Sequence, residues 1–166
     1  MTFLPKARSG QALIESIVAA SMLTVGFLGL LSLLARSISV NRVVADNYVA
    51  TYLGAEGIEV VKNVIDANIL QSRPWNAGIT QGDFEVAYDS RTLGTPFTSR
   101  TLFFDPVADL YSYDAQGATA TPYVRGISIE FLGSDEIRVT SRVLWTTRGG
   151  GNSAIALEDH FYNWRP

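Results

Sequence analysis

The sequence predicts an α+β protein: one long N-terminal helix followed by an antiparallel β-sheet. Three observations lead to that class. Positions 16–35 hold twenty mostly apolar residues without a charge. Behind them, apolar residues recur every three or four positions as far as Ile69, the period of a helix with one face on a domain. After Pro74 the period changes to two, as in half-buried strands. A helix first and strands afterwards is the order of an α+β chain.

Composition sets the outer bounds. The 166 residues include 13 Lys+Arg, 16 Asp+Glu, one His and no Cys, and 47% are hydrophobic. That length allows one domain plus an appendage. Charged residues make up 17%, below the roughly 25% of an ordinary soluble domain, so one stretch must be strongly apolar. A net charge of −3 leaves no basic footprint of the kind nucleic-acid binding requires. Without cysteine, disulfides, thiolate metal sites and thiol nucleophiles are excluded together. Aromatics at 11% are opposite to a disordered composition.

The first element is the apolar run SIVAASMLTVGFLGLLSLLA. Twenty residues at about 1.5 Å rise each match a bilayer core of roughly 30 Å. A cleaved secretory signal is the first rival, with Lys6 and Arg8 as its basic region. Its apolar region would run about 7–15 residues and end in small residues at the cut. Here Arg36 follows the run with no A-x-A pattern. A membrane-spanning helix is the expected reading. Charge does not orient it, because Lys6 and Arg8 on one side balance Arg36 and Arg42 on the other.

Ahead of the run stands Ser9-Gly10-Gln11-Ala12-Leu13-Ile14-Glu15-Ser16. Taken alone, Glu15 reads as a helix-start or snorkelling carboxylate at the edge of a span. With a basic leader ending in Gly10 and apolar neighbours, the segment resembles the processing signal of type IV pilins and pseudopilins. The resemblance implies that a prepilin peptidase cuts between Gly10 and Gln11, so that 1–10 is a leader. Glu15 is then the fifth residue of the cut chain. It implies further that Glu15, beside Leu13 and Ile14, pairs with the α-amine of Gln11 in a neighbouring subunit and fixes axial register. An unpaired carboxylate in an apolar filament core would cost several kcal/mol. The family usually has Phe where this chain has Gln11, which leaves N-methylation of the new amine open.

The implied partners are prepilin peptidase, other pilin or pseudopilin subunits, an inner-membrane assembly platform and the lipid bilayer. The implied location is the bacterial inner membrane, as a single-pass precursor with a cytoplasmic N-terminus, and then an extracytoplasmic or cell-surface filament. No cofactor and no nucleic acid are expected.

The second element continues the first. No proline interrupts the chain between Pro5 and Pro74. Val40, Val44, Tyr48, Tyr52, Ala55, Ile58, Val61, Ile65 and Ile69 form the stripe expected to face a domain, with Arg36, Arg42, Asp46, Glu56 and Lys62 off it. The expected division is therefore 11–36 apolar helix, 37–72 amphipathic continuation and 73–166 antiparallel β-domain. Gly26 and Gly29 are the weak point, each costing roughly 1 kcal/mol relative to Ala. They admit two readings: a helix that loosens on assembly, as the family resemblance implies, or close helix packing in the membrane.

The strands follow. Phe84–Tyr88, Thr101–Phe104 and Tyr111–Tyr113 are short candidates. The clearest pair is Val124–Leu132 and Glu136–Thr146, joined by the three-residue loop Gly133-Ser134-Asp135. In the second of these, Ile137, Val139, Val143 and Trp145 share one face and Arg138, Thr140 and Arg142 the other. Gly149-Gly150-Gly151-Asn152 reads as a turn into a last strand, Ala154–Tyr162. The stretch 52–63 is similar to the helix of minor pilins and I-type pseudopilins. Leu144-Trp145 and Tyr162-Asn163-Trp164 resemble their closing hairpin. These matches imply a pilin-like fold and a low-copy subunit. The C-terminal disulfide loop of many pilins is absent.

No catalytic constellation emerges. His160 stands alone, and with no Cys a zinc site would need carboxylates throughout. There is no G-x-S-x-G elbow. Glu56 and Glu59 share a helix face and read as solvated surface. Asp105, Asp109 and Asp114 are weak calcium candidates, without the tight D-x-D-x-D-G loop. The triple glycine lacks the phosphate-loop spacing. Arg138, Arg142 and Arg148 form a small basic strip that reads as a strand's solvent face, with a DNA-uptake role left open but unsupported. Two functions remain open: a filament subunit, and a single-pass anchored extracytoplasmic binding module that does not polymerise. Glu15 separates them.

Overall fold

The computed structural model describes residues 9–147 and 149–164, so Lys6, Arg8 and Arg148 lie outside the described residues. The architecture is α+β and pilin-like in arrangement. One helix, α1 (Ser9–Leu70), precedes six strands: β1 (Gly82–Phe84), β2 (Thr101–Asp105), β3 (Leu110–Ser112), β4 (Thr119–Phe131), β5 (Glu136–Thr146) and β6 (Asn152–Tyr162). Every pairing is antiparallel, in the order β3-β2-β4-β5-β6, with β1 added on β4. β1 and β2 share one edge of β4, meeting Ile127–Ile129 and Thr119–Val124 respectively. The chain divides into two compact units at Val44/Ala45.

In the first unit α1 has no buried residue: Gly10 to Val44 are all exposed. This helix is long and apolar enough to cross a membrane and could anchor the protein in one. Its hydroxyls suit that environment. Ser16, Ser21 and Thr24 donate to the carbonyls of Ala12, Ile17 and Ala20, each four residues back, so their polarity is satisfied inside the helix.

In the second unit, the rest of α1 packs on the sheet. Ala50, Leu53, Val60, Val61, Val64 and Ile65 are buried, with Gly54 and Gly57 on the same face. The expected stripe holds from Ile58 onward, where Val61 and Ile65 are buried and Ile58 and Ile69 pack against the core, but Tyr48, Tyr52 and Ala55 ahead of it are exposed. The reason is the glycines. A Cβ on Gly57 would stand 2.5 Å from Ile127 Cδ1, and one on Gly54 would stand 3.0 Å from Leu157 Cδ1. Close helix–sheet approach selects the face with the smallest residues, and an apolarity count gives glycine no weight. The helix ends with Ser72 at φ 54°, where Ser72 N–H donates to Ile69 O and Arg73 N–H to Asn68 O, closing the terminal carbonyls.

The sheet keeps the expected alternation where it is regular. β5 spans the predicted residues, with Ile137, Val139, Val143 and Trp145 buried. The Gly133–Asp135 loop is closed by Leu132 N–H donating to Glu136 O. Two strands differ from expectation by more than two residues at an end, while β6 begins at Asn152, inside the expected turn. β4 starts at Thr119, earlier than Val124, because Pro122 is accommodated in a register shift between Thr101 and Phe103 of β2. Thr121 Oγ1 there donates to Leu102 O, and a proline inside a strand belongs at such an irregularity. β1 ends at Phe84, well before Tyr88. Phe84, Glu85 and Val86 are buried consecutively, which a strand of period two cannot do.

The core forms two apolar clusters. Val60, Val61, Ile127, Ile129, Ile137 and Val139 belong to one, closed by Trp75, Ile79 and Leu93 from loops. Ala50, Leu53, Leu102, Tyr123, Val143 and Trp145 form the other. Along each element the residues between the two sets are Gly57, Arg125 and Ser141, all buried. A polar belt thus divides the core.

Candidate functional site

The sequence-predicted site occupies the front of α1. Gly10, Gln11, Leu13, Ile14 and Glu15 are all helical and exposed, Leu13 and Ile14 by 62% and 65%. Gln11 and Glu15 are one turn apart and share a shallow face with Ile14, Val18 and Met22. Among the described residues, no ion pair or side-chain hydrogen bond engages Glu15. The next charge along the chain is Arg36. One carboxylate therefore leads a long apolar surface that nothing in its own unit covers. Gly26 and Gly29 are helical, and nothing lies within 4 Å of a Cβ built on either. The helix is unbroken there, with open space around both positions.

The carboxylates weighed for calcium are not brought together. Among the described residues no three His, Cys, Asp or Glu side chains are placed to hold a metal ion. Asp105 Oδ1 accepts from Val107 and Ala108 N–H, and Asp114 Oδ1 accepts from Gln116 N–H. Each closes its own turn. Asp109 sits at φ 56°. The basic strip is also weaker than its sequence implies, since Arg138 pairs with Glu130.

Three polar arrangements were not anticipated. Arg125 is fully buried in β4. Its Nη1 donates to Leu53 O at 3.0 Å and its Nη2 to Val86 O at 2.6 Å. Glu56 Oε1 stands 3.2 Å from Nη1. Glu56 is thus half-buried and paired, which corrects its reading as solvated surface, while Glu59 is exposed and pairs with Lys62. The signal was available: Arg125 alternates in phase with Ile127 and Ile129 and so had to face inward.

Glu85 is the second. Its buried carboxylate accepts from Thr98 N–H, Thr98 Oγ1, Arg100 N–H and Arg100 Nε. Burial pushes its pKa up, but these hydrogen bonds outweigh it, so the group ionises below the usual carboxylate range. Arg100 also lies over the Tyr113 ring, 4.4 Å from its centroid.

The third is a charge ladder across the outer face of β4, β5 and β6. Glu130 faces Arg138, and Arg138 faces His160. His160 Nδ1 lies 2.7 Å from Glu136 Oε1, and Nε2 lies 3.3 Å from Glu158 Oε1. Hydrogen bonds to these carboxylates hold the His160 pKa above its ordinary value. On the helix side of the sheet, burial and neighbouring Asp46 push the Tyr123 hydroxyl up to about 12. Each of these groups ties one part of the second unit to another.

No family model matches the chain, and no curated protein or solved structure is significantly similar to it.

Proposed function

We propose that this chain is a structural subunit, of the low-copy minor type, of a type IV pilus or related pseudopilus filament. It is made as a membrane-anchored precursor, cut after Gly10 by prepilin peptidase, and assembled through its apolar helix on an inner-membrane platform. Cohesion comes from helix–helix packing, register from Glu15, and surface chemistry from the β-domain.

The observation that carries this reading is the combination Gly10-Gln11-Ala12-Leu13-Ile14-Glu15 with the exposed apolar helix behind it. Large side chains such as Met22, Leu23 and Val25 are 70% or more exposed, far beyond what a water-facing surface tolerates as one patch. Lipid before assembly and neighbouring subunits afterwards are the two environments that cover such a face. Glu15 supports the same reading, because a charge leading an apolar interface sets register when its partner is supplied by another copy.

The test is the intact mass of the membrane-extracted protein, with and without a co-expressed prepilin peptidase. Loss of Met1–Gly10 is the expected result, and persistence of the full-length mass with active peptidase overturns the reading. A Glu15→Ala variant should still insert in the membrane but fail to enter filaments. Normal behaviour of that variant would favour the anchored, non-polymerising module.

A further inference from the structure

Between the last turns of α1 and the loops that follow it lies an open cleft of about 590 Å³, within the size range of small-ligand sites. Arg73 and Arg91 line it, together with Asn63, Gln71, Ser90 and Thr92. No carboxylate belongs to the lining. Asp66 and Asp89 are exposed and lie outside it, and neither arginine forms an ion pair among the described residues.

The walls are fixed by interactions that leave the two cations available. Asn68 is 6% exposed, and its Nδ2 donates to Trp75 O at 3.2 Å and Ala77 O at 2.8 Å. That amide ties the turn following Arg73 to the helix. The terminal carbonyls of Asn68 and Ile69 already accept backbone N–H groups, so the guanidinium of Arg73 is not needed to cap them. On the opposite wall Ser90 Oγ accepts from Ala87 N–H at 2.9 Å, which leaves its O–H proton for a ligand. Two arginines and no carboxylate in one lining make the cleft cationic. A bound oxyanion would offset that charge, and guanidinium has the fork geometry to hold it. The uncharged amide and hydroxyl residues of the same lining suit a hydroxylated body.

We propose that this cleft binds a small hydroxylated oxyanion of the sugar-phosphate class. Every lining residue lies between Asn63 and Thr92, so the proposal stands independently of the filament reading.

The test is calorimetric titration of the full chain, held in a non-ionic polyoxyethylene detergent, with glucose 1-phosphate, inorganic phosphate and glucose. Saturable binding of glucose 1-phosphate is expected, tighter than for either of the other two. Arg73→Gln and Arg91→Gln should each weaken it by about tenfold or more, the scale of a lost charge-assisted hydrogen bond. Lys62→Gln, outside the cleft, should leave it unchanged. Both arginines are exposed, and a thermal melt of each variant checks that the fold is retained. Three results overturn the proposal: no saturable binding, binding indifferent to both arginine substitutions, or glucose 1-phosphate binding no tighter than inorganic phosphate. The last would show an adventitious ion only.

Discussion

The two stretches of α1 on either side of Val44/Ala45 use the same residue types to opposite ends. In the first, apolar side chains are exposed without exception and the glycines face open space. In the second, apolar side chains alternate with exposed ones, and the glycines sit where the sheet comes closest. In the first stretch Ser16, Ser21 and Thr24 are satisfied by its own backbone, whereas the second supplies the Leu53 carbonyl and the Glu56 carboxylate to an arginine on another element. A helix that is hydrophobic all round is made for an apolar surrounding, and one with a single packed face is made for a domain surface. Helical propensity is common to both, so the difference lies in what each stretch is built to touch.

The polar belt offers the largest expected effect. Arg125→Ala removes the cation paired with Glu56 and the side-chain donor to the carbonyls of Leu53 and Val86. Breaking a buried pair in this way costs about 3–5 kcal/mol, read as a lowered midpoint of urea unfolding of the β-domain. Helix content of the first stretch in detergent should not change. A loss smaller than about 1 kcal/mol would mean that the belt contributes little beyond surface-pair strength.

Next come paired glycine substitutions, which the comparison predicts to have opposite signs. Gly57→Ala places a methyl 2.5 Å from Ile127 Cδ1 and 2.7 Å from Ser141 Oγ, overpacking that destabilises by about 1–3 kcal/mol. Gly26→Ala meets nothing within 4 Å, so it gains about 1 kcal/mol of helix propensity. Thermal melts by circular dichroism in detergent separate the two. Equal signs would show that both stretches of α1 meet the same kind of surface.

How much was legible in the sequence follows from the same contrast. The apolar run, the start of α1, β5 and the three-residue hairpin loop were readable because each depends on local periodicity or turn chemistry. The phase at the start of the second stretch was not, although Val61 and Ile65 further on were placed correctly. Tyr48 and Tyr52 are apolar enough to join a stripe, yet the buried face is set by Gly54 and Gly57 meeting Leu157, Ile127 and Ser141, contacts about seventy or more positions distant. Glu85 was hidden for a related reason: its partners, Thr98 and Arg100, come from a loop with no period at all. Arg125, by contrast, was legible from alternation. Gly10, Gln11 and Glu15 were named from a motif, and their exposure on α1 leaves that motif accessible.

A third expected effect concerns acid. The folded pKa of Glu85 lies below its unfolded value. The stability it confers is therefore fully present above the unfolded pKa, 4.5, and is lost as pH falls through the lower folded value. Glu85→Gln should lower stability at neutral pH and flatten that acid limb. Urea unfolding at a series of pH values measures both. An unchanged limb would assign acid sensitivity to other carboxylates.

The smallest expected effect belongs to the ladder on the outer sheet face, and it runs in the other direction with pH. His160 has a folded pKa above its unfolded value of 6.5, so its contribution is full below 6.5 and fades as pH rises through the folded value. Glu136 is held below its ordinary 4.5, first by the hydrogen bond from His160 and then by that from Tyr162. Its contribution fades as pH falls. Together the two groups stabilise the β5–β6 pairing most between those limits, when carboxylate and imidazolium are both charged. Both groups are part-exposed, so added salt should weaken the effect. His160→Gln should remove the alkaline limb without moving the acid limb that Glu85 governs. Urea titration of that variant from about pH 3 to pH 8, at low and at high salt, covers both limbs and decides it. A limb that survives the substitution would mean that β6 is held by its backbone register alone.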